Sequence, residues 1–149
     1  MKCKRLLCLL LTVLMLCSLV PETTLADTTV YFTAVNDQLL SLSDDTMPFW
    51  SGGRLYFSST AISGSDLGIF YSRSRDKQTA VVYRQGSALT FDLASGAVSD
   101  QNERSYSGAA IVRGDMVFLP VDLLTRFFAL DYSYTRISYG YLVRIKSDS

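Results

Sequence analysis

The side chains that most enzymes use for catalysis are scarce in this chain. The sequence of 149 residues contains no histidine, and its three cysteines, Cys3, Cys8 and Cys17, all lie near the N-terminus. Nucleophile systems that pair serine or cysteine with histidine are therefore excluded, as are nearly all zinc, copper and non-haem iron sites. Two chemistries remain open: hydrolysis of glycosides by paired carboxylates and calcium binding by oxygen ligands.

The carboxylates show neither of these patterns. Asp44 and Asp45, with Asp37 nearby, lack the spacing of a calcium-binding loop, so we interpret them as solvated loop acids. Asp92 and Asp131 alternate with apolar residues on predicted strands, and such positions face solvent rather than a shared cleft. We therefore predict no catalytic, cofactor-binding or metal-binding residue in this chain.

Aromatic side chains offer a different activity, the stacking of sugar rings. Phe49 and Trp50 precede a turn with two glycines, and Tyr139 belongs to a predicted tyrosine ladder on the last hairpin. Phe49, Trp50 and Tyr139 are our candidate glycan-stacking residues. For Phe49 and Trp50 the competing interpretation, which we favour, is closure of the end of the core, because aromatic side chains dominate core burial.

The first 26 residues have the order of a secretory signal peptide. Lys2, Lys4 and Arg5 precede an uncharged run at 6–20, and small residues lead to cleavage after Ala26. The apolar run is shorter than the roughly 20 residues that a membrane-spanning helix needs. We predict a secreted, extracellular protein that associates with the cell wall and has no membrane attachment after cleavage.

Cleavage would leave residues 27–149, a length suited to one domain. Three of the 14 basic and one of the 14 acidic residues lie in the signal segment, so the mature net charge is near −2. This balance offers no basic surface for nucleic acid and no polybasic patch for anionic lipid. All the cysteines leave with the signal segment, so burial rather than disulfide bonds must stabilise the domain.

Two segments of the domain show the same order of elements. Residues 53–84 align with 114–145 without a gap, and each segment predicts strand, helix, short strand, loop and strand. The identities are Gly53/Gly114, Phe57/Phe118, Tyr71/Tyr132, Ser72/Ser133, Arg75/Arg136 and Val82/Val143. We predict an α+β fold in which two degenerate β-α-β-β copies, about 48–84 and 109–146, share one antiparallel sheet packed on one or two short helices.

Local patterns predict the individual elements. The clearest helix spans 120–128, with proline at its first position and an apolar stripe along one side. Alternating residues around turn signals predict hairpins, and the polar run 94–104 indicates a connection without strands. The predicted hairpins pair 29–35 with 38–42, 79–84 with 87–93, and 109–112 with 116–119.

The second segment resembles the copper amine oxidase N-terminal-like domain, also called the stalk domain. In that family a glycine turn leads to a strand ending in Val/Leu-Pro, then a helix and a further strand, often in two copies. The resemblance covers about residues 30–146, although Asp122, Ala129 and Tyr134 replace the usual arginine, glycine and tryptophan. The matching residues are Gly114, Leu119, Pro120, Leu123, Leu124, Tyr132, Ser133 and Tyr134.

The resemblance implies a secreted accessory module of Gram-positive, clostridia-like bacteria, and it implies no copper site. Such modules stand at the N-terminus of cell-wall enzymes, including polysaccharide deacetylases and peptidoglycan amidases. The resemblance also places Tyr132 and Tyr134 on the helix-facing side of their strand. Our first hypothesis is an exported, non-catalytic accessory domain for spacing, docking or weak binding at peptidoglycan or another polysaccharide.

The alternative is that the chain is the N-terminal portion of a larger enzyme. A secreted polysaccharide deacetylase or cell-wall hydrolase would carry its catalytic domain beyond Ser149, and that fused domain would then be the partner. The two hypotheses differ in whether the gene product as a whole is an enzyme.

Overall fold

Strands dominate the part of the chain that the computed structural model describes, residues 29–148. The predicted signal peptide at 1–26 lies outside the described residues. The first seven strands are β1 Val30–Val35, β2 Gln38–Leu39, β3 Phe49–Ser51, β4 Arg54–Ser58, β5 Phe70–Arg73, β6 Thr79–Arg84 and β7 Ser87–Asp92. The others are β8 Val98–Asp100, β9 Ser105–Tyr106, β10 Ile111–Arg113, β11 Met116–Pro120, β12 Asp131–Ile137 and β13 Gly140–Lys146.

Two short α-helices follow directly from strands. Helix α1, Ser59–Ser63, comes after β4, and α2, Val121–Phe127, comes after β11; a 3-10 turn spans Asp44–Thr46. The α+β class predicted from the sequence is therefore observed.

The strands form three sheets instead of the single common sheet that we expected. Sheet A has the order β12-β13-β1-β2, sheet B the order β10-β11-β4-β3, and sheet C the order β5-β6-β7-β8-β9. Neighbouring strands are antiparallel except β1 and β13, which are parallel. Because α1 and α2 begin where β4 and β11 end, the chain leaves sheet B at once, and the next strands enter other sheets.

The residues at the start of each helix explain this abrupt turn. The Ser58 hydroxyl, at the end of β4, accepts a hydrogen bond of 3.1 Å from the backbone N–H of Ala61 and caps α1. Pro120 holds the corresponding position before α2 with extended backbone angles, so this helix begins at Val121, one residue later than predicted. After α2, Ala129 adopts a φ of +51°, the left-handed conformation that commonly ends helices.

The core lies where the two helices meet the inner faces of the sheets. Strands β4 and β11, at the centre of sheet B, contribute Phe57 and Leu119, which are at most 1% exposed. Sheet C presents Val82, Leu89 and Phe91 to the same cluster, with none of their surface exposed. The predicted hairpin of 79–84 with 87–93 is confirmed, and its alternation gives one buried and one solvent-facing side.

The segment predicted to be a polar connection, 94–104, contains strand β8, so that prediction is wrong. Val98 is the one apolar residue of β8 and gives no periodic signal, although its side chain is only 3% exposed. The Asp100 carboxylate organises the next turn by accepting the N–H groups of Asn102 and Arg104 and the hydroxyl of Tyr106. Because the Asp100 side chain accepts these backbone N–H groups, the polar segment can turn and continue the sheet.

Candidate functional site

An aromatic row of four side chains, Trp50, Tyr134, Tyr141 and Tyr31, joins sheet B to sheet A. Trp50 meets Tyr134 edge to face, with ring centroids 5.4 Å apart. Tyr134 and Tyr141 are stacked at 4.6 Å, and Tyr141 and Tyr31 are stacked at 5.8 Å. Such offset and edge-on pairs each add about 0.5–1.5 kcal/mol beyond the area that they bury.

Strand register positions the three tyrosines on one side of sheet A. Tyr31 of β1 is directly paired with Tyr141 of β13, and Tyr134 of β12 is directly paired with Val143, two residues further along β13. Directly paired residues lie on the same face, so all three share the core-facing side with the buried Val143. Trp50 comes from β3, one of the two edge strands of sheet B.

Trp50 is the member of the row with the most solvent-accessible surface. Its side chain is 42% exposed, whereas the three tyrosines are half-buried. Burial, together with the hydroxyl of Tyr141, raises the pKa of Tyr134 to about 12. The row therefore holds Trp50 against packed, uncharged tyrosine rings and leaves part of the residue open to a ligand.

Phe49 is directed away from the aromatic row, because adjacent residues of a strand point to opposite sides. Its ring stacks on Tyr56 at 5.6 Å and meets Phe118 edge to face at 4.9 Å. The Arg113 guanidinium lies 3.4 Å from the centroid of the same ring. These contacts occupy ring surface that a sugar would need, and Phe49 does not join Trp50 in one platform.

Tyr139 lies in the two-residue turn between β12 and β13 and is 84% exposed. It lines a shallow depression together with Arg136 and Tyr141, next to the aromatic row. Of the three candidate residues, Trp50 belongs to the row, Tyr139 lies beside it, and Phe49 is separate from it. The edge-to-face contact of Trp50 with Tyr134 has no signal in the sequence, because the two residues lie far apart in the chain.

Two of the acidic residues considered in the sequence, Asp37 and Asp92, are engaged locally. Hydrogen bonds with Lys146 and Arg144 hold the pKa of Asp37 below its ordinary value, and the N–H groups of Ser95 and Ala94 lower that of Asp92. Asp92 ends β7 in sheet C, whereas Asp131 begins β12 in sheet A. Within residues 29–148, no group of three or more acidic, histidine or cysteine side chains is placed to hold a metal ion.

Comparisons with known proteins leave the fold and the aromatic row as the basis for assignment. No family model, no curated protein and no solved structure matches the chain. Among residues 29–148, no helix has the length and apolar character needed to cross a bilayer.

Proposed function

We propose that this chain is an exported, non-catalytic accessory domain that binds weakly to peptidoglycan or another polysaccharide. Spacing and docking at the cell wall belong to the same hypothesis, and the geometry supports binding best. The observation that carries the proposal is Trp50, which is 42% exposed while its ring is held edge to face by Tyr134. A fixed, partly exposed ring can receive the apolar face of a sugar without first being ordered.

The environment of the acidic residues supports a role without catalysis. A glycosidase needs two carboxyl groups that face each other across the scissile bond, about 5–9.5 Å apart depending on mechanism. Asp37 is ion-paired with Arg144 and Lys146, and Asp122 with Arg54. Asp100 is committed to its own turn. Each of these carboxylates has a structural partner where a catalytic acid would need a substrate.

We also propose that the halves of the domain are degenerate copies of one β-α-β-β unit, related to the copper amine oxidase N-terminal-like domain. The units β4-α1-β5-β6 and β11-α2-β12-β13 have the same order of elements, and a further strand, β3 or β10, precedes each of them. Pairing of β4 with β11 joins Phe57 to Leu119 and Ser58 to Phe118. The sequence alignment makes Phe57 equivalent to Phe118 and Ser58 equivalent to Leu119. Each copy therefore contributes the same two positions to the β4–β11 pairing, as expected for two copies related by a two-fold axis.

One further residue supports this relationship. Ala129 stands where the family usually has glycine, and its φ of +51° is the conformation that glycine adopts without strain.

Sedimentation with insoluble peptidoglycan tests the binding proposal. We expect the purified protein to sediment with the polymer and Trp50→Ala to weaken this association several-fold, while the same preparations release no reducing sugar. Val112→Ala is a matched control, because Val112 is 41% exposed on β10, the opposite edge strand of sheet B. Binding that survives Trp50→Ala unchanged, or hydrolysis of the polymer, would contradict the proposal.

A further inference from the structure

The outward side of sheet C is a regular surface that the aromatic row does not use. Direct pairing across β5–β9 divides the residues of this sheet into two faces. The inward face carries Ala80, Val82, Leu89 and Phe91, none of which is exposed. We call the other side the outer face. It consists of Phe70, Ser72, Thr79, Val81, Tyr83, Ala88, Thr90, Asp92, Ser99 and Ser105, and each of these residues is half-buried or exposed.

The outer face is almost without charge. Its one ionisable acid or base at neutral pH is Asp92, at a corner, and this carboxylate already accepts the N–H groups of Ala94 and Ser95. The outward side of sheet A, by contrast, carries Arg144 and Lys146 among its residues. Solvent-facing sheet surfaces usually carry charged side chains, so the outer face is matched to a ligand that is itself uncharged.

Two exposed aromatic rings stand side by side on this surface. Phe70 of β5 is directly paired with Tyr83 of β6, and their side chains are 67% and 45% exposed. Directly paired side chains on neighbouring strands lie about 5 Å apart at Cβ, close enough for both rings to contact one extended ligand. Ala88, with its small side chain, continues the same line on β7.

A line of hydroxyl groups runs beside the two rings. Successive pairing connects Ser72 through Val81 to Thr90, then to Ser99 and Ser105, across all five strands of sheet C. Neighbouring strands lie about 4.8 Å apart and alternate residues about 7 Å apart along a strand. The hydroxyl line is therefore about 7 Å from the aromatic pair and extends about 19 Å across the sheet.

We propose that the outer face of sheet C is a flat binding surface for an uncharged polysaccharide. Phe70 and Tyr83 contact the apolar faces of sugar rings, and the serine and threonine hydroxyls exchange hydrogen bonds with sugar hydroxyls. A polyanion such as a uronic-acid polymer finds no cation here. This surface lies in a different sheet from Trp50 and depends on different side chains, so it goes beyond the function proposed above.

Affinity electrophoresis of the purified protein tests this inference. The gels contain hydroxyethylcellulose, xylan or mannan as neutral polymers, or polygalacturonate as an acidic one. We expect at least one neutral polymer to retard the protein and polygalacturonate to have no effect. Phe70→Ala and Tyr83→Ala should each weaken the retardation about tenfold, whereas Phe70→Tyr should stay within about twofold, because it keeps the ring.

Each variant is measured with tryptophan or alanine at position 50, so that the two binding proposals can fail separately. The inference is supported when Phe70→Ala weakens binding in both backgrounds and Val112→Ala does not. It is overturned when no neutral polymer retards the protein, or when Phe70→Ala equals the control. A dimer in sedimentation velocity that Phe70→Ala dissociates would also overturn it, since the outer face would then bind a second copy.

Discussion

Replacement of Gly140 by alanine tests the parallel pairing of β1 with β13, the central pair of sheet A. Gly140 begins β13 opposite Val30 and has a φ of +149°. A Cβ atom built on it would lie 2.1 Å from the carbonyl oxygen of Val30, a distance that real contacts do not reach. Since the obstacle is backbone, the start of β1 must move away from β13.

The cost of this substitution has two parts. A residue other than glycine at such a φ costs on the order of 1–3 kcal/mol. The displacement of β1 removes one or two strand hydrogen bonds, each with a net contribution of about 1 kcal/mol. We therefore expect Gly140→Ala to lower the free energy of unfolding by about 3–5 kcal/mol, a large share of the 5–15 kcal/mol typical of a domain.

Urea unfolding followed by the fluorescence of Trp50, the single tryptophan of the chain, measures this loss. Gly86→Ala is the matched control, because Gly86 also has a positive φ of +84° but nothing within 4 Å of the added Cβ. The control should lose only about 1 kcal/mol, the cost of the backbone conformation. Equal losses in the two variants would refute the close approach of β13 to Val30.

Three further expectations follow from buried groups. Phe57→Ala should lower the free energy of unfolding by about 3–5 kcal/mol in the same urea assay, because Phe57 is 1% exposed where β4 pairs with β11. Burial raises the pKa of Tyr134 to about 12. The stability that comes from keeping this tyrosine protonated is therefore complete below pH 10 and is lost as the pH rises toward 12. Tyr134→Phe should remove the last step in the tyrosinate absorbance titration. Burial alone would raise the pKa of Asp100, but hydrogen bonds from Arg104, Tyr106 and Asn102 outweigh burial and lower that pKa. Thermal melts should therefore show that stability falls as the pH drops through the lowered pKa of Asp100. The fall should be smaller in Asp100→Asn, which has no carboxylate to protonate.

Local patterns in the sequence predicted the elements whose signals lie within a few residues. We expected Ser59 to cap a short helix, and α1 forms there with Ser58, one residue earlier, as its cap. A turn between alternating segments likewise predicted the hairpin of β6 with β7. The α+β class follows from such elements. The distribution of strands over three sheets does not, because β1 and β13 pair across nearly the whole domain. That pairing depends on which edge of the β12–β13 hairpin remains open once both helices have packed on the sheets.

The candidate site shows the same division. The sequence predicts a tyrosine ladder on the last hairpin, and in the structure two of its members, Tyr134 and Tyr141, are stacked. The packing of Trp50 on Tyr134 joins edge strands of two different sheets, so no local pattern carries it. Phe70 and Tyr83 had a local signal, since both fall at outward positions of alternating strands. Their pairing became evident only with the register of sheet C.

The fluorescence of Trp50 tests the central claim most directly, because no other tryptophan contributes to the signal. We expect soluble peptidoglycan fragments, or oligosaccharides of whichever polymer binds, to change the emission of Trp50. The same ligands should also protect its indole from quenching by acrylamide. Fluorescence and quenching that remain constant at ligand concentrations that saturate the protein in sedimentation would contradict the claim that the aromatic row receives the sugar.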